Sequence, residues 1–365
     1  MDAPTLSPRA LNRATLARQL LLTRSTTPPL DAVERLVGLQ AQIPLNPYLA
    51  LWSRLDAFCP DTLSQLLLDR RVVRIVVMRA TIHLVTADDC LTLRPLAQPA
   101  LDAELRRHRE FAPALRDVDV NAVLAFARPL LARPHTGPQL RAALAERFPE
   151  HHAAALAYAC RNFLALVQVP PRGVWGRSAQ VTYATAETWI GRPLEANPSI
   201  DQTVLRYLAA FGPATVADVA TWSRLTRLGE VLDRLRPQLR TFRDDQGREL
   251  FDLPGAPRPD PGAEAPPRLL PEYDNILLSH ADRSRFAPEE TRKRLAMTPG
   301  NVHGAVLSDG ALVGSWARAE GTLTIRHAEP LRAQAQEALA AEGAAAMRFL
   351  GDHAPAVDVR FVAPK

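Results

Sequence analysis

Cysteine is scarce in these 365 residues, with Cys59, Cys90 and Cys160 the only three. Their odd number, wide spacing and want of any CxxC pair exclude a disulfide framework and a structural zinc site, and they read as reduced, mostly buried thiols. Lysine is scarcer still, confined to Lys293 and Lys365, so nearly all positive charge is arginine. No apolar run approaches the roughly 18 residues that cross a bilayer. The start, MDAPTLSPRALNRATLARQ, lacks the apolar segment and small-residue cleavage site of a secretory signal. A cytoplasmic, membrane-free protein is expected, nucleoid-associated if its partner is DNA.

Signatures of common chemistries are missing too. There is no GxGxxG after a strand, no GxxxxGKS/T, no HExxH and no GxSxG, so nucleotide hydrolysis and nucleophile-elbow serine hydrolysis have no support. His151 and His152 have no acidic or cysteine partner at ligand spacing, so no metal is expected.

What is present fits a globular chain, 47% hydrophobic and 23% charged. Its length suits two to four modules, since domains commonly run about 100–200 residues. A net charge of +5 and a pI near 9.5 favour a polyanionic partner, although abundant Ala, Arg and Pro fit a GC-rich genome equally well.

Helical periodicity runs over Leu11–Thr23, Leu30–Gln40, Pro47–Ala57 and Asp61–Arg70. β-Branched residues then dominate Val72–Val85 and predict two strands meeting near Arg79, with Thr86 or Asp88 capping the next helix. The order returns with a helix over Val120–Leu131, a T-x-x-Q capping box at Thr136 and Gln139, and a helix over His152–Leu164, followed by strand, Pro/Gly/Arg-rich loop and strand. A third copy, Asp201–Pro254, has a helix ending at Gly212, a short helix capped by Thr215, a turn at SRLT, a helix over Arg227–Leu235 and a hairpin around DQG. This is the winged helix-turn-helix pattern. Pro254–Arg268 reads as a linker or surface loop. Beyond it comes a strand meander with turns at SDG and AEG, a helix over Arg332–Leu350 and a strand over Val357–Val362. The expected fold is α+β: three tandem winged-helix motifs at residues 1–117, 118–198 and 199–255, then a C-terminal α+β, β-rich and barrel-like domain at 256–365.

Tandem winged helices on a basic chain suggest DNA, although the same scaffold serves protein–protein contacts. Candidate phosphate contacts are Arg172 and Arg177 in a wing, Arg224 and Arg227 at a third helix, and Arg54 and Arg79; each competes with the plainer reading of a solvated arginine. Around LLPEYDNILLSHADR, Glu272, Asp274 and Asp282 suit acid–base work or, more simply, loop capping and arginine pairing. In RATIHLV, Arg79, Thr81 and His83 fall on one strand face. In LQAQIPLNP, an extended backbone sends Gln40 and Gln42 to one side and Ala41 to the other, so two amides converge beside Pro44, Asn46 and Pro47. Glutamine is neither base nor nucleophile, and a buried amide needs partners for both its carbonyl and its NH2.

The series LxxLQAQxPxxPYLALWSRL, MRATIHLVTADD, FGPATVADVATWSRL and RLLPEYDNILLSHADR, in that order and across almost the whole chain, closely resembles the AlkZ/YcaQ-like DNA glycosylases of the winged-helix superfamily. The resemblance implies a C-shaped, basic channel and excision of N7-alkylated purines, bulky and interstrand-crosslinked guanines included. It makes Gln40 and Gln42 the catalytic pair of a Gln-Φ-Gln motif, with Asn46, Thr81 and His83 as supporting groups. That branch is associated with self-resistance to DNA-alkylating natural products as well as with housekeeping relatives. A monofunctional, cofactor-free, monomeric enzyme acting on double-stranded DNA follows, and the lack of a lysine near the motif disfavours a Schiff-base mechanism. The residues leave open a rival of another class, a non-enzymatic winged-helix regulator that reads DNA sequence through the Arg227 helix.

Overall fold

Prolines and capping side chains mark where this chain turns helical. A computed structural model describes residues 3–298, 303–319, 321–351 and 358–363; the AEG turn and the start of the last strand lie partly outside them. Proline occupies the first turn of α1 (Pro8–Arg18), α2 (Pro29–Arg35), α3 (Asn46–Trp52) and α4 (Pro60–Leu68), where a missing N–H costs nothing. After β1 (Leu39–Gln40), β2 (Val72–Val76) and β3 (Ile82–Thr86), the Thr86 hydroxyl caps α5 (Ala87–Leu96). Next come α6 (Gln98–Arg107), α7 (Phe111–Ala114), α8 (Val120–Leu130) and β4 (His135–Thr136). The Thr136–Gln139 capping box starts α9 (Gly137–Arg147).

The order helix, short strand, two helices, hairpin recurs three times. The first run is α2 to β3. The second is α8 to α10 (Ala153–Phe163), closed by β5 (Leu166–Gln168) and β6 (Thr182–Thr185). After α11 (Ala186–Ile190), the third runs through α12 (Ile200–Phe211), α13 (Val216–Ser223), α14 (Leu228–Leu235), β7 (Arg240–Arg243) and β8 (Glu249–Asp252), with an Ala214–Phe251 bridge replacing the short strand. The first two hairpins fuse: β2 pairs with β5, giving one six-stranded sheet in the order β1-β3-β2-β5-β6-β4. The third hairpin stays separate.

Beyond β9 (Arg268–Leu270) and α15 (Glu289–Arg294), the strands β10 (Gly304–Ser308), β11 (Ala311–Ala319), β12 (Thr322–His327) and β13 (Asp358–Val362) form a sheet ordered β13-β12-β11-β10-β9. Among the described residues this sheet is open, which corrects the barrel-like expectation. The parallel β12–β13 pair is bridged by α16 (Ala333–Phe349), whose Leu339, Ala346 and Met347 pack on Leu269, Leu323 and Ile325. A helix seated on one sheet face occupies the space that closure would need.

The Pro-rich stretch after β8 is no loose linker. Arg9 Nε donates to Pro261 O at 2.7 Å, Arg13 Nε to Ala263 O at 2.7 Å and Arg18 Nη2 to Pro257 O at 3.2 Å, while Ala265 is buried. Prolines supply carbonyls without competing N–H donors, and arginines of α1 take them up. Arg18 also makes a buried bidentate pair with Asp252 on β8, at 2.6 and 2.9 Å. So α1 binds the third repeat and the strap after it. Of the thiols, Cys90 and Cys160 are buried and Cys59 is exposed.

The predicted helix Leu30–Gln40 stops at Arg35, because Val37 (φ 53°) and Gly38 (φ 86°) turn the chain through left-handed conformations before β1. A Cβ on Gly38 would lie 2.7 Å from Val85 Cγ1 and 3.0 Å from Leu84 O, both on β3. Gly38→Ala is therefore expected to lose about 1–3 kcal/mol in denaturant unfolding and to displace β1, the strand that carries Gln40.

Candidate active site

β1 is an edge strand two residues long, and its register with β3 sets Gln40 opposite His83. Ala41 N donates to Ile82 O at 2.7 Å, and Arg74 Nη2, from β2 in the same sheet, donates to Ala41 O at 2.8 Å. Ala41 is thus locked on both backbone groups, and the glutamines on either side diverge in burial. Gln40 is 7% exposed, whereas Gln42, just past the strand, is exposed. Both line one cavity of about 290 Å³, with Thr81, Ala80, Tyr273 and Arg161. Among the described residues, no carboxylate lines it.

Arg79 decides how Gln40 can act. It sits in a left-handed turn between β2 and β3 (φ 57°, ψ 16°), and Nη2 donates to Gln40 Oε1 at 2.7 Å and to Asn275 Oδ1 at 2.7 Å, with His83 Nε2 at 3.2 Å. A guanidinium only donates, so the Gln40 carbonyl must face it, leaving the NH2 as the group Gln40 can offer to the cavity. Burial, reinforced by the like charges of Arg224 and Arg283, pushes the Arg79 guanidinium down to about 9. Its Nη1 is buried without a hydrogen-bond partner.

His83 is fully buried behind the glutamine. Nδ1 lies 3.0 Å from Thr81 O, which assigns the proton to Nδ1 and leaves Nε2 to accept from Arg79. Burial and the adjacent Arg79 charge hold the ring down to about 3, so it is neutral at physiological pH. An unfolded histidine takes up its proton near pH 6.5. The unfolded chain therefore binds the extra proton below that pH, and stability falls as pH drops from about 6.5 towards 3, by up to ~1.4 kcal/mol per pH unit. Thermal melts over that window are expected to show His83→Asn with a slope shallower by one proton.

The segment after β9 supports the arrangement. Asn275 Nδ2 donates to Gly38 O at 3.1 Å while its carbonyl holds Arg79. The preceding Asp274 caps this turn through Ile276 N at 3.1 Å and takes a bidentate pair from Arg54 at 2.8 and 2.9 Å. Asn46 Nδ2 donates to Glu272 O at 2.7 Å.

The structure sorts the residues singled out from sequence. Gln40, Gln42 and Thr81 meet at the cavity, while Asn46 and His83 are buried outside its lining. Arg54, 1% exposed and paired with Asp274, is no phosphate contact; a carboxylate 220 residues away neutralises it within the core. Arg79 is likewise committed to the glutamine. Arg172 donates to Ala179 O within the loop between β5 and β6 at 2.9 Å, and exposed Arg227 forks onto Glu230 at 2.9 Å. Arg177 and Arg224 are exposed. Asp274 and Asp282 pair with Arg54 and Arg248, the plainer of their two readings. Sequence reasoning missed Asn275, hidden between the acids it weighed, and Arg161, which faces the cavity from α10.

Ala80 also borders a larger cleft of about 1510 Å³, lined by Arg79, Arg106, Arg107, Arg109 and Arg224. Five arginines against one lining carboxylate, Glu104, make it strongly electropositive.

The family model described as DNA glycosylase AlkZ-like matches residues 33–349. A curated relative from Streptomyces sahachiroi, described as an interstrand DNA cross-link repair glycosylase, is 25% identical over 340 residues, covering 85% of this chain and 87% of the relative. The solved structure of Streptomyces sahachiroi DNA glycosylase AlkZ matches with a TM-score of 0.80 at 21% identity, over 98% of this chain and 100% of that one, a likeness of fold. With the family model spanning most of its length around this glutamine cavity, the chain belongs to the AlkZ-like DNA glycosylase family.

Proposed function

We propose that this protein hydrolyses the N-glycosidic bond of N7-alkylguanine in double-stranded DNA, as a monofunctional glycosylase whose reacting groups are Gln40 and Gln42. The observation that carries this reading is a cavity lined, among the described residues, by two glutamines and no carboxylate. Such a lining offers no carboxylic acid to protonate an uncharged base. An N7-alkylated guanine needs none, because it already carries a positive charge and leaves as a neutral base with the electrons of the C1′–N9 bond.

The remaining work is to place a water at C1′ and stabilise the oxocarbenium-like sugar. The Gln42 carbonyl accepts from that water, and the Gln40 NH2, turned outward by Arg79, donates to its second lone pair. The water oxygen bonds to C1′ and its proton passes to solvent. Arg161 is the cation of the cavity, suited to a phosphate flanking the lesion. The cleft arginines Arg106, Arg107, Arg109 and Arg224, with Arg177, suit the duplex backbone.

The three repeats read as winged-helix motifs arranged around a C-shaped channel. The width of the cleft favours bulky or crosslinked guanines, in repair or in self-resistance to a DNA-alkylating natural product, and the Streptomyces relative is described as an interstrand DNA cross-link repair glycosylase. The test incubates the protein with duplex carrying 7-methylguanine, then cleaves abasic sites with alkali. Base release is expected, with a rate flat between about pH 5 and 8, because His83 titrates at about 3 and Arg79 at about 9. No release, from 7-methylguanine or from a bulky N7 adduct, would refute the reading.

A further inference from the structure

Among the described residues, three large apolar side chains are exposed: Ile43 (37%), Leu45 (44%) and Leu68 (46%). A lone exposed leucine such as Leu68 on α4 is ordinary. The other two flank Pro44 on the loop that follows Gln42, where the proposed chemistry meets DNA. That loop is stiff. Its near end is fixed by the two backbone bonds of Ala41, and its far end by Asn46, which donates through Nδ2 to Glu272 O and through N to Ile43 O at 3.1 Å. Pro44 and Pro47 restrict the backbone between and beyond. Two apolar side chains, each with more than a third of its surface bare, are thus held at the surface by a segment that cannot fold them away.

A stacked duplex offers little apolar surface beyond the thymine methyl groups of its major groove, but it offers wide apolar faces between its bases. Apolar side chains, Ile and Leu among them, enter base steps and part them without needing hydrogen bonds. We propose that Ile43 and Leu45 are a wedge that inserts between base pairs beside the lesion nucleotide, parting the stack so that C1′ comes within reach of Gln42. The ligand is a base-pair step of duplex DNA. The inference rests on the reading of Gln40 and Gln42 as the reacting pair, and its test uses a readout independent of base release.

Duplex carrying a non-cleavable tetrahydrofuran abasic analogue is prepared with 2-aminopurine as its neighbour, a base that brightens when unstacked. Wild-type protein is expected to raise the fluorescence. Ile43→Ser/Leu45→Ser is expected to bind with the same salt dependence but without brightening, and to excise 7-methylguanine roughly tenfold more slowly in single turnover. Ile43→Val/Leu45→Met keeps both properties. Because the side chains are exposed, melting temperatures should agree among all forms. Brightening that survives in the serine variant, or is missing in the wild type, would overturn the wedge. So would concentration-dependent dimerisation lost in the serine variant with fluorescence unchanged, which would mark a contact between copies. Fluorescence behaving as expected with no base released would instead refute the glycosylase reading and leave the wedge standing as a DNA contact.

Discussion

Gln42→Ala is expected to slow single-turnover release of 7-methylguanine by about 10²–10³-fold, the usual cost of deleting one preorganised polar contact to a transition state. Its folding stability should stay within ~0.5 kcal/mol of wild type, because the side chain is exposed on a loop held by other residues. Gln40→Ala makes the instructive contrast. It removes the amide and also takes an acceptor from Arg79, whose guanidinium has no carboxylate among its bonded partners. Activity and stability should therefore fall together. Gln40→Glu would restore an acceptor at the guanidinium and bring stability back, but not the NH2, so excision should remain low. Full activity in Gln42→Ala would remove the water-placing role from that residue.

Asp274→Ala is expected to destabilise the protein by about 3–5 kcal/mol, since it strands Arg54 as an unpaired charge in the core. The loss has a functional side. Asp274 also fixes the turn that aims Asn275 at Arg79, so the clamp on Gln40 loosens even where the protein still folds. Denaturant unfolding gives the first quantity, and single-turnover excision well below the transition gives the second. Arg54→Met/Asp274→Leu, which removes both charges at similar volume, should recover much of the stability and less of the activity. Equal recovery of both would show that the ion pair only holds the core.

Much of the local structure was legible because its signals are local. Threonine caps at Thr86, Thr136 and Thr215 marked helix starts, and the Thr136–Gln139 box was correct to the residue. The spacing of Gln40 and Gln42 was equally readable. What escaped depends on partners far away in sequence. Arg54 near the glutamines looked like a surface cation until Asp274 folded against it, and the arginines of α1 gave no hint of the proline-rich strap they hold. Arg79 was expected on a strand face among phosphate contacts. The left-handed turn it occupies, with no glycine to announce it, redirects it to the glutamine.

That turn has one more consequence. Arg79 and Ala80 line the basic cleft, and Ala80 also lines the glutamine cavity. The same turn therefore belongs to the surface suited to gripping a DNA backbone and, through Arg79, to the clamp that orients Gln40. Pressure from a duplex seated in the cleft would reach the Gln40 amide through its hydrogen bond to Arg79, so that on the proposed reading docking and chemistry share one contact without any lid or hinge.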